Sequence, residues 1–184
     1  TLTASCGADG VAKAARDHGM QAVFLPCGVP DEATLRPLAL ICVLNIAADE
    51  AAPLAQRLTA LRAAGITVPI VALDRRDSQT ALQRAGVMVA DPRIPAYWKA
   101  NGAVNLRRLF AYLGITYLGR GGTADPPIHV PEQGYYLPGR DEPFSDLAAF
   151  RTAAGWQEGN ARAVLCIQQS FWITNDTKVI DAQI

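Results

Sequence analysis

Apolar and polar positions over about the first 115 residues follow one repeated pattern: an amphipathic helix, a glycine, then a short apolar strand. The units read Val11–His18, Gly19, Ala22–Leu25; Leu54–Ala64, Gly65, Val68–Leu73; Ser78–Ala85, Gly86, Val87–Ala90; and Leu106–Leu113, Gly114, Ile115–Leu118. Each glycine falls where a helix C-terminus favours a left-handed residue. Leu54, Leu58 and Leu61 recur at helical spacing, with Arg57 and Arg62 off that stripe. Pro53 suits a first helical turn, where its missing N–H costs nothing. The run Leu40–Ile46 is apolar on both faces, the signature of a central strand covered by helices. The pattern predicts an α/β domain over residues 1–118, a layered Rossmann/flavodoxin-like parallel sheet with helices.

At Gly119 the pattern stops. Residues 119–143 hold Gly119-Arg120-Gly121-Gly122 and then Pro126, Pro127, Pro131, Pro138 and Pro143, and read as a Pro/Gly-rich connection. Residues 144–184 read as the beginning of a second α/β domain, with a helix over Phe144–Ala154 and a strand over Ala163–Gln168. A last helix opens near Asn175 or Asp176, good N-caps, and places Ile180 and Ile184 on one face. The sequence opens at Thr1 and stops inside that helix, so it is expected to be a piece of a longer polypeptide with a truncated second unit.

Composition narrows the classes. Of 184 residues, 17 are Lys or Arg and 17 Asp or Glu, a formal net charge of zero. Nucleic acid and anionic lipid partners favour a basic excess, which is absent. The run Leu38–Ala48 is too short for a membrane span, and no basic and apolar leader opens the sequence. Cys6, Cys27, Cys42 and Cys166 show no C-x-x-C spacing, and only His18 and His129 join them. That leaves no structural zinc pattern and predicts a reducing, cytoplasmic setting, with Cys42 a small core residue. Asp9, Asp31, Asp49, Glu50 and Asp77 lie near helix starts and read as caps. The Gly119–Thr123 stretch precedes prolines, not a helix, and no G-K-[ST] occurs, so no ATP site is expected. Leu40–Asp91 is similar in layout to a receiver domain, but Asn45 stands where its phosphoacceptor aspartate belongs, so the likeness is one of architecture.

The later part carries a more specific likeness. Asn105-Leu106-Arg107-Arg108-Leu109-Phe110 with Tyr112-Leu113 is followed by Gly134-Tyr135-Tyr136-Leu137-Pro138. Phe144-Ser145-Asp146-Leu147 through Phe150 to Trp156 comes next, and Gln169 to Ile184 close the series. In this order the four elements resemble those of the cobaltochelatase CobN and magnesium chelatase H subunit family, over about Ala100–Ile184. There are departures. Gln169 and Phe171 stand where the family has Arg and His, Leu137 where it has a His, and Asn175-Asp176-Thr177 where it has a G-N-T turn. Arg is not replaced by a neutral amide without loss at a carboxylate site.

The resemblance implies a tetrapyrrole-binding large subunit of an ATP-dependent chelatase, putting cobalt into a corrin precursor or magnesium into a porphyrin. It implies no cofactor in this chain: AAA+ ATPase and accessory subunits would handle ATP and magnesium. Tyr135, Tyr136, Phe171 and Trp172 would supply aromatic walls, and Gln169, Ser170, Asn175 and Thr177 polar contacts. With Gln169, Phe171 and Leu137 neutral, binding is expected to be mainly apolar and only weakly salt-dependent. Core packing for the aromatic residues and capping for Asn175 are the ordinary alternatives. Two other classes stay open. One is a chelatase-like domain that only docks a partner. The other is a small-molecule enzyme using strand ends near Ser5-Cys6, Cys27-Gly28 and Asn45.

Overall fold

The computed structural model describes residues 8–24, 31–44, 47, 49–73, 77–100, 102–129, 133–140 and 142–159. In chain order the elements are α1 (Ala8–Asp17), α2 (Glu32–Leu35), β1 (Ile41–Val43), α3 (Ala51–Ala63), β2 (Ile70–Ala72), α4 (Asp77–Arg84), α5 (Arg93–Ala100), α6 (Gly102–Tyr117) and α7 (Leu147–Ala153). The described chain is mixed α/β and mostly helical. β1 and β2 are parallel, with Ile41 opposite Ile70, Cys42 opposite Val71 and Val43 opposite Ala72. Val89 adds a single parallel bridge to Val71. Parallel neighbours need a crossover, and α3 supplies it.

Strand side chains alternate between two apolar clusters, as the two-residue period requires. Ile41, Val43, Ile70 and Ala72 join Leu58 and Leu61 of α3, Leu82 of α4, and Val87 and Met88. Val71 and Leu73 join Ile94 and Tyr97 of α5 and Leu109, Tyr112 and Leu113 of α6. A third group sets Val11 and Ala14 of α1 against Leu106 of α6. The predicted stripe Leu54, Leu58 and Leu61 does face the core. Gly19, Gly65 and Gly86 end their helices with positive φ, as read from the sequence.

Several expectations need correcting. Among the described strands the one buried on both faces is β2, whereas β1, within the Leu40–Ile46 run, is only partly buried. β1 lies at the edge of the described sheet, with Val71 of β2 paired to it on one side and Val89 on the far side of β2. Cys42 keeps exposed surface and joins none of the core clusters, yet burial pushes its thiol up to about 12. Ile115–Leu118 is not a strand: α6 runs through Gly114 to Tyr117 and ends before Gly119, whose φ is 66°. Gly114 stays helical because its bare Cα is covered from outside. A Cβ there would lie 3.0 Å from Arg120 Cδ and 3.6 Å from Met20 Cε. Arg120 folds back across it, donating to the carbonyl oxygens of His18 and Gly19 at the C-terminal end of α1. That places a cation where the α1 dipole favours one. Helix α5 has no counterpart among the predicted helix–glycine–strand units. Pro95 lies in its first turn, where proline is tolerated.

Residues 119–129 have neither helix nor strand, as their composition predicts, yet side chains fasten them to α5 and α6. The predicted strand Ala163–Gln168 and the helix from Asn175 lie outside the described residues.

Candidate functional site

At the carboxyl end of the sheet, two residues past the Val89 bridge, Asp91 collects the hydroxyls of α6. Tyr112 and Tyr117 donate to its Oδ2 at 2.5 and 2.9 Å. Its Oδ1 accepts the backbone N–H of Arg93, the first residue of α5, at 3.0 Å. The Arg93 guanidinium lies 4.6 Å from the Tyr112 ring centroid, and Tyr112 stacks on Tyr97 at 5.5 Å. Burial raises the Asp91 carboxyl, but the Tyr112 hydroxyl, the Arg93 N–H and the Tyr117 hydroxyl together hold it below the ordinary carboxylate range. Tyr112 and Tyr117 move the other way, pushed up by burial and then by the Asp91 hydrogen bond. A carboxylate so occupied, and ionised at neutral pH, is a poor proton acceptor. Its work is to tie the ends of α5 and α6 together.

The segment after α6 is held by side-chain bonds to its backbone. Tyr97 donates to the Asp125 carbonyl at 2.7 Å and Arg108 to that of Pro126 at 2.8 Å. Asn105 is 1% exposed, on the buried stripe it shares with Leu109, Tyr112 and Leu113. Its Nδ2 donates to the Ile128 carbonyl at 3.0 Å, and its Oδ1 accepts the Ile128 N–H at 2.8 Å. Both backbone groups of Ile128 are thus paired with one amide, as a neighbouring strand would pair them.

Beyond this strap lies an aromatic group built by two turns. Leu137–Arg140 form a β-turn, with Arg140 N–H donating to the Leu137 carbonyl at 3.2 Å. Pro138 and Gly139, the latter at φ 78°, occupy its central positions, the type II preference. The turn lets Tyr135 and Phe144 exchange backbone hydrogen bonds of 2.8 and 2.9 Å. Asp146 then caps α7 by accepting the Ala149 N–H at 2.7 Å. With Phe144 committed to that bridge and Asp146 to the cap, the helix starts at Leu147 rather than Phe144. At the far end Gly155, at φ 61°, lets Trp156 N–H reach the Arg151 carbonyl at 2.9 Å, a Schellman ending. Trp156 is thereby turned back onto Phe150.

The rings then meet. Tyr135 stacks on Phe150 with centroids 5.4 Å apart, and Phe144 and Trp156 approach Phe150 edge-on at 5.9 and 6.4 Å. Tyr135 remains 38% exposed. The guanidinium of Arg140 lies 5.2 Å from the Phe144 centroid, and that of Arg151 lies 5.2 Å from the Trp156 centroid. The arrangement offers flat apolar contact beside fixed positive charge.

Of the residues predicted from sequence, Tyr135 lies in this group and Tyr136 is half-buried beside it. Gln169, Ser170, Trp172, Asn175 and Thr177 lie outside the described residues, as do Phe171, Ser5, Cys6, Cys27, Gly28 and Asn45. The sequence reading quotes Phe144, Phe150 and Trp156 but misses their joint packing with Tyr135, and it misses Arg140 and Arg151. The six-residue spacing of the three rings, with a cap at Asp146 and a glycine before Trp156, is the available signal. Asn105 opens the first family-like element, but its hold on Ile128 is not read, although a lone amide on a leucine stripe marks a polar group needing a partner. Among the described residues no cluster of His, Cys, Asp and Glu has the makings of a metal site. Nor is any described helix long and apolar enough to cross a membrane.

Comparison with known proteins gives one match. The family model CobN/Magnesium Chelatase covers residues 95–184. That span includes α6, the strap held by Asn105 and the whole aromatic group. No curated protein matches the chain, and no solved structure does.

Proposed function

Residues 95–184 match the CobN/Magnesium Chelatase family model, and from that premise we propose that the chain is part of a tetrapyrrole-binding large subunit of a metal chelatase. The reaction would be insertion of cobalt into a corrin precursor or of magnesium into a porphyrin, with the metal as substrate. ATP and its magnesium would be handled by AAA+ partner subunits, since this sequence has no phosphate loop leading into a helix. Residues 1–118, of which 95–118 already lie in the family segment, would form a layered α/β domain that presents the rest of it.

The observation that carries this reading is the aromatic group of Tyr135, Phe144, Phe150 and Trp156, lying wholly inside the family segment. A macrocycle is flat and apolar on its faces, so it gains most from rings with exposed area, and Tyr135 has it. Tyr136 and the sequence-predicted residues Gln169, Ser170, Trp172, Asn175 and Thr177 would complete the wall. Gln169, Phe171 and Leu137, in place of the family's Arg and His residues, favour a second reading: a chelatase-like domain that binds or docks without inserting metal.

Titration of the chain with a corrin and with a porphyrin tests binding. A stacked macrocycle quenches tryptophan fluorescence and shifts its own Soret band. The quench should shrink in Trp156→Phe and Trp172→Phe but not in Trp98→Phe. Absence of both quench and Soret shift with either ring class refutes the reading. Binding without metal insertion, in the presence of ATP and the partner subunits, selects the docking alternative.

A further inference from the structure

We propose that Arg140 and Arg151 read the rim carboxylates of the macrocycle, so that the aromatic group accepts a flat polycarboxylate rather than any flat apolar ring. The inference rests on the macrocycle reading above and adds the ionic half that the neutral Gln169, Phe171 and Leu137 do not supply.

Position comes first. Arg140 closes the Leu137–Arg140 turn, and Arg151 sits in the last turn of α7, whose carbonyl Trp156 caps. Both are therefore on backbone fixed by local hydrogen bonds. Each guanidinium is then held 5.2 Å from a ring centroid, over Phe144 and Trp156. Those two rings both pack on Phe150, so both cations border one aromatic group.

Availability comes second. Arg36 and Arg93 pair with Glu32 and Asp91, and Arg108 and Arg120 donate to backbone carbonyls. Among the described residues Arg140 and Arg151 have no carboxylate or carbonyl on their guanidinium groups, and both residues are exposed. A guanidinium resting on a ring uses its face and keeps its in-plane N–H fork for a carboxylate. The ring contact also limits the side chain's freedom beforehand, so less entropy is lost when an anion arrives. A net charge of zero argues against a nucleic acid backbone as the anion. A few carboxylates on a flat ring match two cations beside an exposed Tyr135.

The test compares deuteroporphyrin, with two rim propionates, with its diamide, using the full chain and fluorescence titration at low and high salt. An exposed Arg–carboxylate contact is worth up to about 1 kcal/mol, so each arginine should contribute up to about fivefold in Kd. The dicarboxylate should bind more tightly than the diamide, and added salt should weaken only the dicarboxylate. Arg140→Gln and Arg151→Gln should each loosen the dicarboxylate by about threefold to fivefold and leave the diamide unchanged. Arg151→Lys should retain part of the preference, and unchanged thermal unfolding should show that the variants fold. Equal binding of both porphyrins, or a preference that survives both Gln variants, overturns the arginine assignment while the macrocycle reading stands. If neither porphyrin nor a corrin binds, the macrocycle reading fails and this inference falls with it.

Discussion

Replacing Asn105 tests how the segment after α6 is held. Its amide is 1% exposed and pairs with both backbone groups of Ile128, at 3.0 and 2.8 Å. The orientation is fixed, because Ile128 offers one donor and one acceptor and only one amide orientation meets both. Asn105→Ala removes two hydrogen bonds at a net ~0.5–1.5 kcal/mol each, so a loss of about 1–3 kcal/mol is expected. Ile128 is half-buried, so water can partly replace the amide, which favours the lower half of that range. Asn105→Leu fills the space but gives Ile128 no partner, and should cost at least as much. Asn105→Asp is the sharpest variant. At neutral pH its carboxylate still accepts the Ile128 N–H but faces the Ile128 carbonyl oxygen across the former 3.0 Å contact. That repulsion raises the introduced carboxyl above its unfolded value. Its relative stability is therefore best below the unfolded pKa and falls as pH rises through the folded one. Urea unfolding gives the energies, and hydrogen exchange of the Ile128 amide reads the bond directly. An Asn105→Asp chain as stable at neutral pH as Asn105→Ala, or unchanged Ile128 exchange in Asn105→Ala, would refute the clamp.

Other measurements probe the remaining features. The depressed Asp91 carboxyl contributes stability that is present above the ordinary carboxylate range and lost as pH falls through its lower folded value. Asp91→Asn should flatten the acid side of the urea midpoint against pH, and an unchanged slope would remove Asp91 from the account. Tyr117→Phe deletes one bond to that carboxylate and should cost about 1–2 kcal/mol in chemical denaturation. A Cβ on Gly155 meets nothing within 4 Å, but φ is 61° there. Gly155→Ala should thus cost about 1 kcal/mol through backbone strain alone, with a changed Trp156 emission as the local sign. Limited proteolysis should cut within 119–143, which holds no helix or strand among its described residues, before it cuts in Leu40–Leu73. Earlier cleavage in the latter would contradict the core assignment.

Local rules alone determined much of this chain. Leu54, Leu58 and Leu61 predict their own buried face, and Gly19, Gly65 and Gly86 stop helices where the sequence says, because backbone preference and apolar spacing act within one or two turns. The ordered elements from Asn105 to Trp156 also pointed to the CobN/magnesium chelatase family, which covers residues 95–184. Tertiary contact decided the rest. Gly114 reads as a stop until Arg120 is seen to cover it. Leu40–Ile46 reads as central, but hydropathy cannot say which apolar strand takes the middle, and among the described residues β2 does. The proline-rich strap reads as loose until Tyr97, Asn105 and Arg108 reach it from 18 to 28 residues away. The convergence of Arg140 and Arg151 on one aromatic group arises the same way. Charge and ring positions are written in the sequence, but a turn and a Schellman ending bring them together, and spacing along a chain does not encode that meeting.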